Sequence, residues 1–222
     1  ISLLNAHNLY LDMPFKTILY ATTNPGKIFE VSRLLKAYNI EIVSPKDLGL
    51  EIDVAETGVS LEENSIIKAK AYLNAVKNYV VMADDTGLEI EALNGEPGIH
   101  ARRWRDGKTR MTDQDAIDYC LYKMKDVPKG KRGAKFRTVI TLASPDNLIE
   151  TFDGILEGEI LEKPIPLRIE GVPFESLFYI PKWKLVLGEV HQMPIEKRPK
   201  FLTHRELAVT KALPRIKELL SK

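Results

Sequence analysis

Two adjacent carboxylates, Asp84 and Asp85, follow an apolar segment, Tyr79–Ala83, whose composition predicts a buried strand. Carboxylates at the end of a buried strand need hydrogen bonds or a cation to offset the loss of water. Ligands of open α/β sheets gather at the carboxyl ends of strands, and Mg²⁺ prefers carboxylates together with phosphate oxygens. The pair therefore indicates a metal and phosphate site, with a strand-terminating Asp-Thr-Gly turn as the alternative.

A second candidate is the segment Thr22–Lys27 (TTNPGK), which joins a predicted strand, Thr17–Thr23, to a predicted helix, Lys27–Tyr38. Backbone N–H groups at a helix start can hold phosphate, and the side chain of Lys27 adds a positive charge. The segment is not a Walker A loop, because Ile28 stands where that loop has a Ser or Thr for magnesium. An ordinary βα turn is the alternative.

Two further helix starts carry charged residues. Glu56 lies just before a helix that begins with a capping box at Ser60–Glu63 and carries Lys68. His204 and Arg205 open a C-terminal helix whose capping box starts at Thr203. Cations at a helix start oppose the helix dipole, so an anionic ligand there would relieve the conflict.

The remaining elements place these residues in an α/β protein. The strand–loop–helix–strand opening favours parallel pairing. A hairpin is expected around Ser144–Asn147, and a core helix is expected to bury Cys120. The remaining predicted elements are a strand at Glu41–Ser44, a helix at Thr112–Lys125, and strands at Phe136–Ala143, Leu148–Phe152 and Ile155–Leu161.

Composition limits the classes of function. The chain has 222 residues, a formal net charge of +1 and one cysteine, which excludes an internal disulfide and fits the cytoplasm. No apolar run is long enough to span a bilayer, so we expect no membrane partner. The basic run Lys123–Arg137 lacks interleaved stacking aromatics, so we expect a solvated loop rather than a nucleic-acid surface.

Taken together, these segments resemble the inosine triphosphate pyrophosphatase family, whose members hydrolyse non-canonical purine nucleoside triphosphates. The resemblance runs in order from about Ile18 to Leu220, nearly the whole chain after Met13. The segments that carry it are TTNPGK (Thr22–Lys27), ETGVSLEENSIIKAKA (Glu56–Ala71), ADDTGLEIEALNGEPGIHAR (Ala83–Arg102), FDGILEGEI (Phe152–Ile160) and HR (His204-Arg205).

The resemblance implies a mixed twisted sheet flanked by helices, with two lobes and a substrate cleft between them. We expect residues 13–222 to form this single domain, and residues 1–12 to be an N-terminal extension that is disordered or non-native. The family implies a cytoplasmic homodimer that uses Mg²⁺ to hydrolyse ITP, dITP and XTP to the monophosphate and pyrophosphate.

The family's functional residues carry over onto matching positions of this chain. Asp85 is implied as the catalytic proton acceptor and, with Glu56, as a metal ligand. Thr86 is implied to contact the substrate, and His204 and Arg205 to contact base and phosphate. The implied phosphate contacts are Thr22, Thr23, Asn24, Pro25, Gly26, Lys27 and Lys68.

Two departures from the family pattern concern the base. The usual Phe-Gly-Tyr-Asp-Pro string is replaced by a segment in which Phe174 keeps the stacking aromatic and Glu175 is the candidate substitute for the Asp. The usual Lys before His-Arg falls on Pro199, with Arg198 or Lys200 as substitutes. A pyrophosphatase for other modified nucleotides, or a nucleotide- or RNA-binding module, are therefore the alternative functions.

Overall fold

A mixed eight-stranded sheet forms the centre of the part of the chain that the computed structural model describes, residues 16–76, 78–197 and 201–221. The strand order is β2-β1-β3-β5-β6-β7-β8, and β4 pairs with β3. The strands are β1 (Lys16–Tyr20), β2 (Ile40–Val43), β3 (Val81–Ile90), β4 (Pro97–Gly98), β5 (Gly133–Ala143), β6 (Ile149–Ile160), β7 (Phe178–Ile180) and β8 (Leu185–Val186).

Five α-helices flank the sheet in the described ranges, which confirms the predicted mixed α/β class. The predicted capping boxes lead to helix N-caps at Ser60 and Thr203, whose hydroxyls each accept a backbone N–H three residues on. No helix in these ranges has the length and apolar character to cross a membrane. The helices are α1 (Pro25–Lys36), α2 (Leu61–Ala75), α3 (Asp113–Lys123), α4 (Leu187–Gln192) and α5 (His204–Leu219).

The strand that carries Asp84 and Asp85 does not end at them, as the turn-forming residues had predicted. β1 pairs with β3 in parallel at only two positions, the second of which joins Tyr20 to Met82. On the other side, antiparallel β5 pairs with β3 along its whole length, so the strand continues to Ile90. The two carboxylates therefore lie where β3 has lost one neighbour, and this gap in the sheet gives room for a ligand.

The two strands predicted at Leu148–Phe152 and Ile155–Leu161 are one continuous strand, β6. Packing requires a glycine at position 154 of β6, since a Cβ there would lie 2.0 Å from the carbonyl oxygen of His204. This close approach seats the start of α5 directly on the sheet. It fixes the position of His204 and Arg205.

Three clusters of buried apolar side chains hold the helices to the sheet. One joins α3 to β5, β7 and the short 3₁₀ helix at Pro173–Ser176, and another joins α1 and α5 to β1. The third joins α2 to β1 and β3. Cys120 lies in the first cluster, where burial raises the pKa of its thiol to about 12, so the prediction of a core cysteine is confirmed.

Candidate active site

A pocket of about 250 Å³ lies at the gap in the sheet beside Asp85. The structure brings most of the predicted site residues to its walls, although they come from segments far apart in the chain. Among the described residues, Pro25 and Gly26 fall outside the lining, and Lys200 lies beyond the described ranges. The predicted residues that line the pocket are Thr22, Thr23, Asn24, Lys27, Glu56, Lys68, Asp85, Thr86, Phe174, His204 and Arg205.

The segment Thr22–Lys27 forms a capped helix start. Asn24 is the N-cap of α1, and its side-chain oxygen accepts the backbone N–H of Lys27 at 3.2 Å. Pro25 takes the first helical position, where its fixed φ suits the helix and its missing N–H costs nothing. A Cβ at Gly26 would lie 2.9 Å from the Glu170 carbonyl oxygen, so glycine permits close packing. We call Thr22–Lys27 the phosphate loop, because it leads into a helix N-terminus beside the pocket, a position that favours anions.

Asp84 is the buried centre of an ion-pair network. Its carboxylate accepts hydrogen bonds from Tyr20 Oη at 2.9 Å and Thr86 Oγ1 at 3.3 Å. Lys27 Nζ lies 2.9 Å and Arg205 Nε 3.1 Å from Oδ2. Although burial by itself raises the pKa of Asp84, the charges of Lys27 and Arg205 outweigh it and hold that pKa well below its usual range. Asp84 is therefore a permanent counter-ion, with every oxygen engaged.

Asp85 has the opposite character from its neighbour. Its Oδ1 lies 3.1 Å from Lys68 Nζ, and its Oδ2 accepts a hydrogen bond from Asn64 Nδ2 at 3.3 Å. Burial raises the pKa of Asp85, and the charges of Lys68 and Lys27 only partly offset this effect. A carboxylate with a raised pKa in a pocket has the character of a general base.

Glu56 and Asp85 converge on the same cation, the ammonium of Lys68. Glu56 Oε1 lies 2.8 Å from Lys68 Nζ, and Glu56 Oε2 accepts a hydrogen bond from Arg103 at 3.3 Å. Burial opposes ionisation of Glu56, but the charge of Lys68 outweighs it and lowers the pKa of that carboxyl. Two pocket-lining carboxylates that already share one positive charge are a donor set that fits Mg²⁺, which takes hard oxygen ligands and keeps several waters.

A second group of metal-type ligands, Glu30, Glu175 and His191, lies buried in the described structure with ligand atoms within 4.8 Å of one another. Most of their ligand atoms already have protein partners, although His191 Nε2 is buried without a hydrogen-bond partner among the described residues. Glu30 bonds Arg205 and Thr203, and Glu175 bonds His191 Nδ1 at 2.8 Å. The Glu175 carboxylate overcomes the effect of burial and raises the pKa of His191 to about 9. In the described residues this group is thus an ion-pair network.

The positive charge of Arg205 at the start of α5 opposes the helix dipole. Carboxylates of the protein neutralise this charge, and no external anion is needed, contrary to the expectation from sequence. Arg205 is 1% exposed, and its guanidinium bonds Glu30 and Asp84. Burial, reinforced by the charge of Arg205, lowers the pKa of His204 to about 3, so the imidazole is neutral. Because His204 Nδ1 accepts the Arg205 backbone N–H at 2.9 Å, the proton belongs on Nε2, which is then a donor.

The wall near Phe174 is aromatic. Phe174 is 4% exposed and packs edge-on against Trp104, with ring centroids 6.3 Å apart, while it also lines the pocket. Phe136 lines the same wall, and its ring lies 4.7 Å from that of His204. Glu175 is buried beside them and also lines the pocket. An apolar wall with one neutral donor and one carboxylate suits a planar heterocycle.

Several pocket residues were missed from the sequence. Arg102, Arg103 and Arg110 line the mouth and come from one loop with a high density of arginine, a signal that could have marked them. Tyr20 and Glu30 carry no sequence signal, because their roles depend on partners that the fold brings close.

The basic run at 123–137 is not one solvated loop, contrary to the prediction, since it spans the end of α3 and the start of β5.

The buried network predicts sensitivity to acid. Burial raises the pKa of Glu30, but the charge of Arg205 outweighs it and lowers that pKa to about 2, against 4.5 for the ordinary group. Its contribution to stability is therefore complete above about pH 4.5 and is lost as the pH falls towards 2. Urea denaturation at a series of pH values should show this loss, and Glu30→Gln should make the dependence on pH shallower. An equally steep dependence in that variant would contradict the assignment.

Comparison with known proteins places this chain among related sequences. The sequence pattern of the Ham1 family matches residues 18–215. The dITP/XTP pyrophosphatase of Thermoanaerobacter pseudethanolicus is 37% identical over 195 residues, which are 87% of this chain and 93% of that protein. The dITP/XTP pyrophosphatase of Symbiobacterium thermophilum is 34% identical over 211 residues, 94% of this chain and 98% of that protein.

Solved structures give the same result for the fold. A HAM1 protein from Coxiella burnetii matches with a TM-score of 0.72 and 28% identity, over 92% of this chain and 100% of that one. The Ham1 protein of Staphylococcus aureus matches with a TM-score of 0.70 and 31% identity, over 91% and 99% of the two chains. The resemblance stated from the sequence is confirmed.

Proposed function

The chain belongs to the Ham1 family and, like its relatives, is a nucleoside triphosphate pyrophosphatase, and we propose that it hydrolyses ITP, dITP and XTP. Water attacks the α-phosphorus, the bond to the oxygen that bridges to the β-phosphorus breaks, and the nucleoside monophosphate and pyrophosphate leave. The observation that carries the proposal is the pocket in which Glu56, Asp85 and Lys68 lie together beside the phosphate loop.

The phosphates are proposed to lie between the phosphate loop and the cations around it. Lys27 and Lys68 line this part of the pocket, and Arg103 and Arg110 line its mouth. In the described structure Arg110 makes no ion pair, and burial together with Arg102 and Arg103 lowers its pKa. This end of the pocket therefore carries positive charge that a triphosphate would neutralise.

Glu56 and Asp85 would hold Mg²⁺, with waters and phosphate oxygens as the other ligands. When bound, the ion neutralises phosphate charge and lowers the pKa of water. Lys68 lies between the two carboxylates at the pocket wall, and its ammonium would bind a phosphate oxygen there. Thr86 and Lys27 border the same region.

Asp85 is proposed to accept the proton of the attacking water. It stands on a rigid strand whose partner, β5, pairs with it directly at Val139. Asn64 Nδ2 bonds one carboxylate oxygen and Lys68 Nζ lies against the other, so the carboxylate has a fixed orientation in the pocket wall. Proton transfer to a fixed carboxylate contributes about 10²–10⁴-fold to the rate of such reactions.

The base is proposed to lie against Phe174, with His204 as a reader of its edge. A neutral His204 with its proton on Nε2 donates to the 6-oxo group of hypoxanthine or xanthine. The amino group at the same position of adenine is itself a donor, so it leaves the imidazole proton without an acceptor. This arrangement favours ITP and XTP over ATP.

The products and the substrate preference are tested together. Incubation with ITP, XTP, dUTP, ATP and GTP and Mg²⁺, followed by chromatography of the products, should give monophosphate and pyrophosphate, with ITP and XTP preferred. Nucleoside diphosphate with orthophosphate as the main products would contradict the reaction. A preference for dUTP would favour a pyrophosphatase of other modified nucleotides.

We also propose the remaining features that the family resemblance implies. These are a homodimer in the cytoplasm, and a single domain of two lobes over residues 13–222. Light scattering of the full chain measures the mass in solution, and a monomer would contradict the proposed assembly. Residues 1–12, predicted to be an extension, lie outside the described residues.

A further inference from the structure

A chain of hydrogen bonds joins the phosphate loop to the start of α3 through one glycine. The side chain of Asn24 donates to the Gly171 carbonyl oxygen at 2.9 Å, and the Gly171 N–H donates to Asp113 Oδ2 at 2.8 Å. The other oxygen of Asp113 pairs with Arg102 Nη1 at 2.6 Å. Asn24, Gly171 and Arg102 line the pocket, so the carboxylate of Asp113 connects two parts of its wall.

Gly171 makes the tightest contact in this chain. Its φ is +83°, in the left-handed region that favours glycine, and a Cβ there would lie 2.5 Å from Asn24 Oδ1. The same oxygen caps α1 by accepting the Lys27 N–H. The backbone at Gly171 is therefore held directly against the cap of the phosphate loop, and a displacement of Gly171 would move Asn24.

Gly171 also begins the segment that leads to Phe174. Val172, Pro173 and Phe174 line the pocket, and the 3₁₀ helix Pro173–Ser176 holds them in a regular conformation. Phe174 shares an apolar cluster with Ile117 on α3. Asp113 thus lies on a helix that packs against the aromatic wall, and Gly171 connects its carboxylate to Asn24 of the phosphate loop.

We propose that Asp113 is a positioning residue that fixes the span between the base-binding wall at Phe174 and the phosphate loop at Asn24. The proposal rests on the proposed function, because a nucleoside triphosphate occupies both places at once. A ligand that reaches both anchors gains affinity when their separation is set in advance, since it does not have to order them. A ligand that occupies the phosphate loop alone gains nothing from that separation.

Two ligands and the Asp113→Asn variant test this role. The first ligand is inosine 5′-(α,β-imido)triphosphate, which is not cleaved at that bond, and the second is inorganic tripolyphosphate, which has no base. Asparagine keeps the size of the side chain but loses the charge that holds Arg102 and one of the two acceptor oxygens. Calorimetry with Mg²⁺ should show the Kd of the nucleotide rising about tenfold or more relative to the Kd of tripolyphosphate.

The ratio of the two Kd values decides the outcome. The ratio is the Kd of the nucleotide divided by the Kd of tripolyphosphate. If this ratio in Asp113→Asn stays within about threefold of its value in the unmodified protein, the proposal is overturned, whether both affinities change together or neither changes. A purely structural defect lowers both affinities together and leaves the ratio where it was. If the unmodified protein forms no monophosphate and pyrophosphate, the proposed function fails separately, since neither binding measurement depends on turnover.

Two further variants keep the comparison interpretable. Asp118→Asn changes an exposed carboxylate on the same helix, bonded to Gln114 Nε2 at 2.8 Å, and should alter neither Kd. Thr112 and Asp115 form the capping box of α3, so the helix start does not depend on Asp113. If Asp113→Asn nevertheless fails to fold, Asp113→Ser supplies a short uncharged acceptor, and the same ratio applies to it.

Discussion

Replacing Asp85 by asparagine is expected to lower kcat by about 10²–10⁴-fold, the range for loss of a general base. The amide keeps the shape of the side chain and its contact with Asn64, but it cannot accept the proton or share the charge of Lys68. Because burial already raises the pKa of Asp85, removal of its charge should leave the melting temperature unchanged or raise it. Steady-state kinetics and thermal denaturation measure the two effects.

A matched control lies on the same strand. Glu89 pairs with Lys135 at 2.9 Å at a partly exposed position of β3, so Glu89→Gln also removes one carboxylate charge from that strand. Its kcat should stay within about twofold of the unmodified protein, since exposed ion pairs contribute little. Turnover of the Asp85→Asn variant at the level of this control would rule out Asp85 as the proton acceptor.

Arg205→Met is expected to destabilise the protein by about 3–5 kcal/mol, the range for removal of one partner from a buried ion pair. The substitution leaves Glu30 without its guanidinium and deprives Asp84 of one of its two cations. Both carboxylates are buried, so water cannot replace the lost partner without opening the core. Urea denaturation measures the change in the free energy of unfolding.

Arginine on the same helix supplies the comparison. Arg215 pairs with Glu150 at 3.0 Å at a partly exposed position, and Arg215→Met should cost about 1 kcal/mol or less. The double variant Glu30→Gln with Arg205→Met should recover part of the loss, because the unpaired charge at Glu30 is then gone. A cost for Arg205→Met equal to that of Arg215→Met would show that the network does not stabilise the fold.

The elements that could be predicted from the sequence are those with local causes. The hydroxyl of Ser60 and the glutamate after it mark the start of α2 whatever the rest of the chain does. The buried face of the same helix has no such local marker, because its apolar residues Ile66 and Leu73 stay partly exposed. The structure buries Asn64 and Ser65 instead, since that face of α2 contacts polar groups on β3 and β5.

The candidate site likewise contains residues that the sequence indicates and residues that only the fold brings together. The paired carboxylates after an apolar segment indicate Asp85, the family resemblance implies roles for Glu56 and Lys68, and the structure brings all three into one ion-pair cluster. No local pattern indicates that Glu30 pairs with Arg205, 175 residues away. That pair depends on the packing of α1 against α5, which only the three-dimensional fold determines.

Adjacent residues of a strand point to opposite faces of its sheet, and this alternation gives the two neighbouring carboxylates of β3 separate partners. The side-chain hydrogen-bond and ion-pair partners of Asp84 are Tyr20, Thr86, Lys27 and Arg205, while those of Asp85 are Asn64 and Lys68. The two sets have no member in common. A proton transfer at Asp85, as proposed, would therefore break none of the hydrogen bonds and ion pairs of Asp84. One carboxylate of the pair is thus the one proposed to react, while the other pairs with Lys27 on α1 and Arg205 on α5.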